Sequence, residues 1–141
     1  MKALGRHIVA ELSFCNEQIL GDLDTVKDIM VTAALAAKAE IKEVAFHKFS
    51  PQGVSGVVVL GESHVAIHTW PEIGYAAIDI YTCGDKADPY AACNYLADHF
   101  QAGSVSKTVM DRGIPTPFGY YSHVISSSYR DSGARKVAQP A

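Results

Sequence analysis

The chain is short of cysteine, of basic charge and of long apolar runs, and each shortage closes off a class of function. Only three cysteines occur among 141 residues, Cys15, Cys83 and Cys93. Their odd number and wide spacing fit a reducing cytosol better than a disulfide framework. No two of them form a CxxC pair, so a structural zinc ion has no cysteine anchor and no metal is expected. Twelve Lys and Arg stand against fifteen Asp and Glu, a net charge of −3. Without a basic stripe to neutralise phosphates, nucleic acid is not expected as a partner. The run from Arg130 to Lys136 is mildly basic but short, and reads as a solvated tail. No apolar stretch approaches the length of a membrane span. Met1-Lys2-Ala3 opens without a hydrophobic signal region, so a cytoplasmic protein with no membrane partner is expected. Internal repeats and a domain-splitting linker are also lacking. What is there is 48% hydrophobic and 19% charged, the balance of one globular domain that buries its core without staples.

The periodicities alternate between strand and helix. His7 to Phe14 sets Ile8, Ala10 and Leu12 on one face and His7, Val9 and Glu11 on the other. Asn16 to Glu40 reads as helix, with Leu23, Val26, Met30, Ala33 and Ala37 at helical spacing and Asp22 or Asp24 as cap. Strands are expected at Ile41 to Phe49, Val57 to Leu60, Val65 to Trp70 and Tyr75 to Thr82. In the last of these, Ala76, Ile78 and Ile80 face the core, opposite Tyr75, Ala77, Asp79 and Tyr81. Asp88-Pro89 predicts a helix start, a capping acid and then proline at the first helical position. That helix should run to about Gln101 and bury Ala92, Leu96 and Phe100. Val105 to Asp111 is a final strand. Past Arg112 come Pro115, Pro117, Gly119 and three consecutive serines from Ser126, which argue against a stable element. The sum is an α+β two-layer sandwich, its sheet mainly antiparallel, with two helices on one face. Residues 1–115 form the single expected domain and 116–141 a flexible extension.

Chemistry concentrates in GVSGVVVLGESHVAIHTWPEIGYAAIDIYTCG, from Gly53 to Gly84. Ser63 follows Gly61-Glu62 at the opening of a strand, where a serine taken alone is a turn residue. A serine-hydrolase elbow would need Gly-x-Ser-x-Gly, and position 65 is valine. His64 and His68 invite a metal reading. On a strand, however, four residues span about 13 Å, too far for two ligands of one ion. Taken alone, His64 is a satisfied histidine at a strand start. By the same standard Phe49 is a core aromatic, Glu72 a solvated turn acid and Cys83 a small hydrophobe.

This segment, with a thinner match over residues 1 to 115, resembles the self-processing core of the small prokaryotic S-adenosylmethionine decarboxylases. The resemblance implies that the Glu62–Ser63 bond breaks itself and that Ser63 becomes a pyruvoyl group, the sole cofactor. Neither pyridoxal phosphate nor a metal is then required. Ser63 would attack the Glu62 carbonyl to give an ester, and a base would remove its α-proton for β-elimination. The family gives the base role to the position of His68, supported in processing by that of Ser55. An imidazole suits the task because it can be neutral near pH 7. The position of Cys83 donates the proton that quenches the decarboxylated carbanion. Phe49 matches the residue that stacks on adenine and Glu72 the one that binds the ribose diol. The implied substrate is S-adenosylmethionine, decarboxylated to the aminopropyl donor of spermidine and other polyamines. A dimer of cleaved protomers is implied as well, with active sites near its interface. Two rivals share the fold: a pyruvoyl-dependent arginine or ornithine decarboxylase, and a regulatory homologue that never cleaves.

Overall fold

The computed structural model describes residues 2–131. Seven strands form one sheet in the order β2-β3-β4-β5-β1-β6-β7, every neighbouring pair antiparallel. The strands are β1 Gly5–Ser13, β2 Ile41–Lys48, β3 Val54–Leu60, β4 Ser63–Trp70, β5 Tyr75–Cys83, β6 Ser104–Pro115 and β7 Tyr121–Asp131. Helices α2 (Leu23–Ala36) and α3 (Pro89–His99) pack together and against the sheet, α2 over β2 and β3 and α3 over β1 and β5. This is the α+β sandwich that the periodicities predict.

Strand alternation decides which face is covered. Ile8, Ala10 and Leu12 of β1, Val65 and Ile67 of β4, and Ala76, Ile78 and Ile80 of β5 are buried beneath the helices. Met30, Ala33 and Ala34 of α2 and Ala92, Leu96 and Phe100 of the α3 segment meet them from above. Among the described residues the opposite face carries no helix, and its residues are half-buried or exposed: His7 and Val9, His64, Ala66 and His68, Ala77, Asp79 and Tyr81. His7, His64, His68 and Asp79 therefore point away from the core, whereas Ser63, the register partner of buried Leu60, has the parity of the covered face. Phe100 is the largest fully buried side chain. Phe100→Ala should cost about 3–5 kcal/mol of unfolding free energy, readable from the urea midpoint by far-UV circular dichroism. A loss below about 1 kcal/mol would mean that the layer between sheet and α3 is not closed.

Two expectations are corrected. The helix predicted from Asn16 to Glu40 is two helices, a short α1 (Glu17–Leu20) and α2, divided at Gly21 and Asp22. The division follows from capping: Asn16 accepts from the Ile19 N–H and Asp22 from the Thr25 N–H, so each starts its own helix. The second correction lies beyond Arg112. Residues 121–131 are not irregular but form β7, paired along β6. The Pro115–Gly119 cluster supplies the reversal, closed by Thr116 Oγ1 donating to the Tyr120 carbonyl. Side chains of β7 are exposed throughout, so the strand rests on backbone pairing and shows no apolar alternation in sequence. The rest of the expected flexible extension, 132–141, lies outside the described residues.

Candidate active site

The hairpin that joins β3 to β4 turns on Gly61 and Glu62, with Leu60 paired to Ser63. Glu62 sits at φ +64°, in the left-handed region that a residue with a Cβ seldom enters. Holding it there costs on the order of 1–3 kcal/mol, supplied by the surrounding strands. The unusual conformation falls on the acid itself, at the residue whose carbonyl precedes Ser63. Ser63 Oγ donates to the Gly61 carbonyl at 3.2 Å. Cys83 ends β5 alongside, and its Sγ donates to the Glu62 carbonyl at 3.1 Å. A thiol donor on the carbonyl that precedes a serine polarises that carbonyl toward attack. Both Ser63 and Cys83 are half-buried rather than sealed in the core.

A second group gathers at the other end of β4, on the open face. Ser55 Oγ and His68 Nδ1 are hydrogen-bonded across β3 and β4 at 2.7 Å, which fixes the imidazole plane. His68 is exposed and lies near Trp70, which stacks on Tyr75 with ring centroids 5.2 Å apart. Phe49, just past β2, is 47% exposed, so it is not a core aromatic. Glu72 stands exposed on the single 3₁₀ turn Pro71–Ile73 that links β4 to β5. Phe49, Ser55, His68, Trp70 and Glu72 line one cavity of about 300 Å³. The proposed processing pair and the proposed substrate-binding pair thus meet in one place.

That place is not where Ser63 is. Ser63 and His68 are five residues apart on β4, about 16 Å along an extended strand. One chain therefore brings Ser63 together with Glu62 and Cys83, and His68 together with Ser55, Phe49 and Glu72, without joining the two groups.

A third cluster went unnoticed in the sequence. His7 of β1, His64 of β4 and Asp79 of β5 converge on the open face. His7 Nε2 lies 2.6 Å from Asp79 Oδ1, and His64 Nε2 is hydrogen-bonded to Asp79 Oδ2. Arg112 of β6 completes the row, its Nη1 3.1 Å from His7 Nδ1. Burial works to raise the Asp79 pKa, but the hydrogen bonds from His64 and then His7 outweigh it and hold the carboxyl below its usual range. Each residue has the open-face parity of its own strand, which is visible in sequence; their meeting depends on the register His64↔Tyr81 and His7↔Tyr81.

Two imidazoles and a carboxylate are also a donor set for a divalent ion. Arg112 argues against that use. A guanidinium only donates, so His7 Nδ1 must accept from it and His7 Nε2 must carry the proton. A ring so committed has no lone pair left at Nε2 for a metal.

Cys15 and Cys93 are buried and free. Burial pushes the Cys15 thiol up to about 12, and it raises Cys93 too. Neither forms a thiolate near neutrality, consistent with packing roles.

Comparison with known proteins points one way. The family model described as S-adenosylmethionine decarboxylase matches residues 6–113. An S-adenosylmethionine decarboxylase proenzyme of Moorella thermoacetica is 59% identical over 117 residues, covering 83% of this chain and 94% of its own length. A proenzyme of the same name from Pelotomaculum thermopropionicum is 60% identical over 114 residues, 81% of this chain and 90% of its own. Among solved structures, the adenosylmethionine decarboxylase of Aquifex aeolicus superposes with a TM-score of 0.78 at 33% identity, covering 83% of this chain and 97% of that one. Strand β7 lies beyond the residues that the family model matches.

Proposed function

The chain belongs to the S-adenosylmethionine decarboxylase family, and from that premise we propose that it cuts its own Glu62–Ser63 bond and then decarboxylates S-adenosylmethionine through a pyruvoyl group at residue 63. The observation that carries this reading is the Cys83 Sγ donor at 3.1 Å on the carbonyl of a left-handed Glu62. That carbonyl is strained, polarised and joined to the serine that must attack it. Ser63 Oγ adds to the Glu62 carbon, and the peptide C–N bond breaks. The hydroxyl proton ends on the departing Ser63 nitrogen, leaving an ester. A base takes the Ser63 α-proton, and the Cβ–Oγ bond breaks by β-elimination, so that Oγ departs as part of the new Glu62 carboxylate. The dehydroalanine tautomerises, and water converts it to a ketone with loss of ammonia. That ketone supplies the electron sink into which the substrate's α-carbon releases its electrons as carbon dioxide departs. Cys83, beside the same atoms, then delivers the quenching proton.

Cys83→Ala should accordingly cut about tenfold or more slowly, since a thiol is a weaker donor than those whose loss costs about 10²–10³. Its cleaved fraction should also decarboxylate poorly. Time courses by denaturing gel would check the first part and carbon dioxide release the second; wild-type turnover would remove Cys83 as proton donor.

The base and the substrate groove lie about 16 Å from Ser63, which supports a pair of chains that share each site. Two copies placed open face to open face around a two-fold axis set the Ser63 end of one against the His68 end of the other. In this arrangement Ser63 and Cys83 work with His68, Ser55, Phe49 and Glu72 of the second copy. Exposed Val59, Trp70 and Phe49 on or beside that face are the apolar surface such a dimer would cover.

Phe49 and Glu72 beside His68 favour a nucleoside over free arginine or ornithine, which bring neither an adenine to stack nor a vicinal diol for a carboxylate to accept from. Loss of that charge-assisted pair should cost about 2–4 kcal/mol. Glu72→Gln should then lower kcat/KM roughly thirty-fold or more with cleavage unchanged. Carbon dioxide released from labelled S-adenosylmethionine, and none from labelled arginine or ornithine, is the expected result. The reverse pattern would move the chain to the amino-acid decarboxylases. The product is the aminopropyl donor that polyamine synthesis consumes, including that of spermidine.

A further inference from the structure

Among the described residues, the row Arg112–His7–Asp79–His64 has one end without a hydrogen-bond partner, and that end belongs to the residue after Ser63. Arg112 donates to His7 Nδ1, so His7 is neutral and donates from Nε2 to Asp79 Oδ1. Asp79, held ionised, accepts on its other oxygen from His64 Nε2. His64 Nε2 therefore carries a proton, and in the neutral ring Nδ1 carries none. Among the described residues, no hydrogen-bond partner meets His64 Nδ1. An imidazole oriented by a carboxylate at one nitrogen and open at the other is an arrangement for taking a proton.

The reaction requires such a base. An α-amino group reaches the site as an ammonium ion at pH 7, and only the free amine can attack a carbonyl. We propose that His64 Nδ1 takes this proton from the substrate's α-ammonium group, with Asp79, His7 and Arg112 as positioning residues. This rests on the reading above, in which residue 63 becomes a ketone. The amine's freed lone pair forms the C–N bond to carbon 63, and Asp79 balances the imidazolium. The carbonyl oxygen then takes that proton and one from the amine nitrogen and leaves as water, giving the protonated imine. The titratable and charged groups around His64 are Asp79, Tyr81 and Cys83 on β5, His7 on β1 and Arg112 on β6; across β3 its register partner is the uncharged Val59.

Three measurements test the assignment. In the uncut Ser63→Ala chain, ¹⁵N NMR should show His64 protonated at Nε2. Adding Asp79→Asn should move that proton to Nδ1, because His7, held by Arg112, claims the amide oxygen and leaves its NH₂ facing His64. A His64 already protonated at Nδ1 in the parent overturns the proposal. In the cleaved protein, O-methylhydroxylamine, neutral at pH 7, traps the ketone without a base. His64→Gln should keep that trapping rate within about twofold while kcat/KM for S-adenosylmethionine falls roughly a hundredfold, the range of general-base loss. Asp79→Asn should reproduce the split should the first variant fold poorly. Equal loss of trapping and turnover would make the role structural, and unchanged kcat/KM would remove it. No trapping in the parent would mean that no ketone forms, which sinks the underlying reading and this inference with it.

Discussion

Ser63→Ala should remain a single chain of full mass after prolonged incubation at neutral pH, whereas the parent should resolve into residues 1–62 and 63–141. Alanine has no hydroxyl to begin the acyl shift, so the loss is complete rather than graded. The parent's second chain should begin with a ketone, which blocks Edman degradation. Intact mass under denaturing conditions checks both statements, since conversion of the serine to a pyruvoyl group changes the mass of the second chain as well as freeing it. A parent that stays whole would end the pyruvoyl reading, despite the left-handed Glu62 and its Cys83 hydrogen bond. The substitution removes only the Ser63 Oγ hydrogen bond to the Gly61 carbonyl and leaves the neighbouring core residues Leu60 and Val65 unchanged, so the variant should keep the parent's circular dichroism.

Mixing two inactive variants should restore what neither has. Ser63→Ala keeps Ser55, His68, Phe49 and Glu72 but has nothing to cut; His68→Ala keeps Ser63 and Cys83 but lacks the base. Should each site draw on two chains, the hybrid formed by unfolding and refolding the mixture contains one complete site. About half of the assembled dimers are hybrids in a random equimolar mixture, and each hybrid has one productive site of two. Cleavage of the His68→Ala chain and decarboxylase activity should therefore appear at roughly a quarter of the parent level. Each variant refolded alone should show neither. A mixture as silent as its components would mean that His68 reaches Ser63 within its own chain, against the distance along β4, or that it is not the base.

The periodicities located most strands and the α3 start because those rest on local rules: alternation of Ile8, Ala10 and Leu12, and Asp88 before Pro89. They failed at α1 and α2, where a cap inside an alanine-rich stretch, Asp22, ended one helix and began another. They failed again at β7, whose serines and exposed tyrosines face solvent on both sides and leave no pattern to read. The candidate site residues Ser63, His68, Cys83, Phe49 and Glu72 came from the resemblance. None of their geometry was, and the Arg112–His7–Asp79–His64 row was not seen at all.

By itself the sequence determined the two-layer architecture, the covered and uncovered faces of the sheet, and the family, because burial parity and a continuous motif are properties of residues close together in the chain. Only the tertiary structure decided which functional side chains share a space. Strand register sets that, and register is a relation between segments far apart in sequence: His7 meets Asp79 across 72 positions, while Ser63 and His68, five positions apart, are held apart by the stiffness of the extended strand that carries them both.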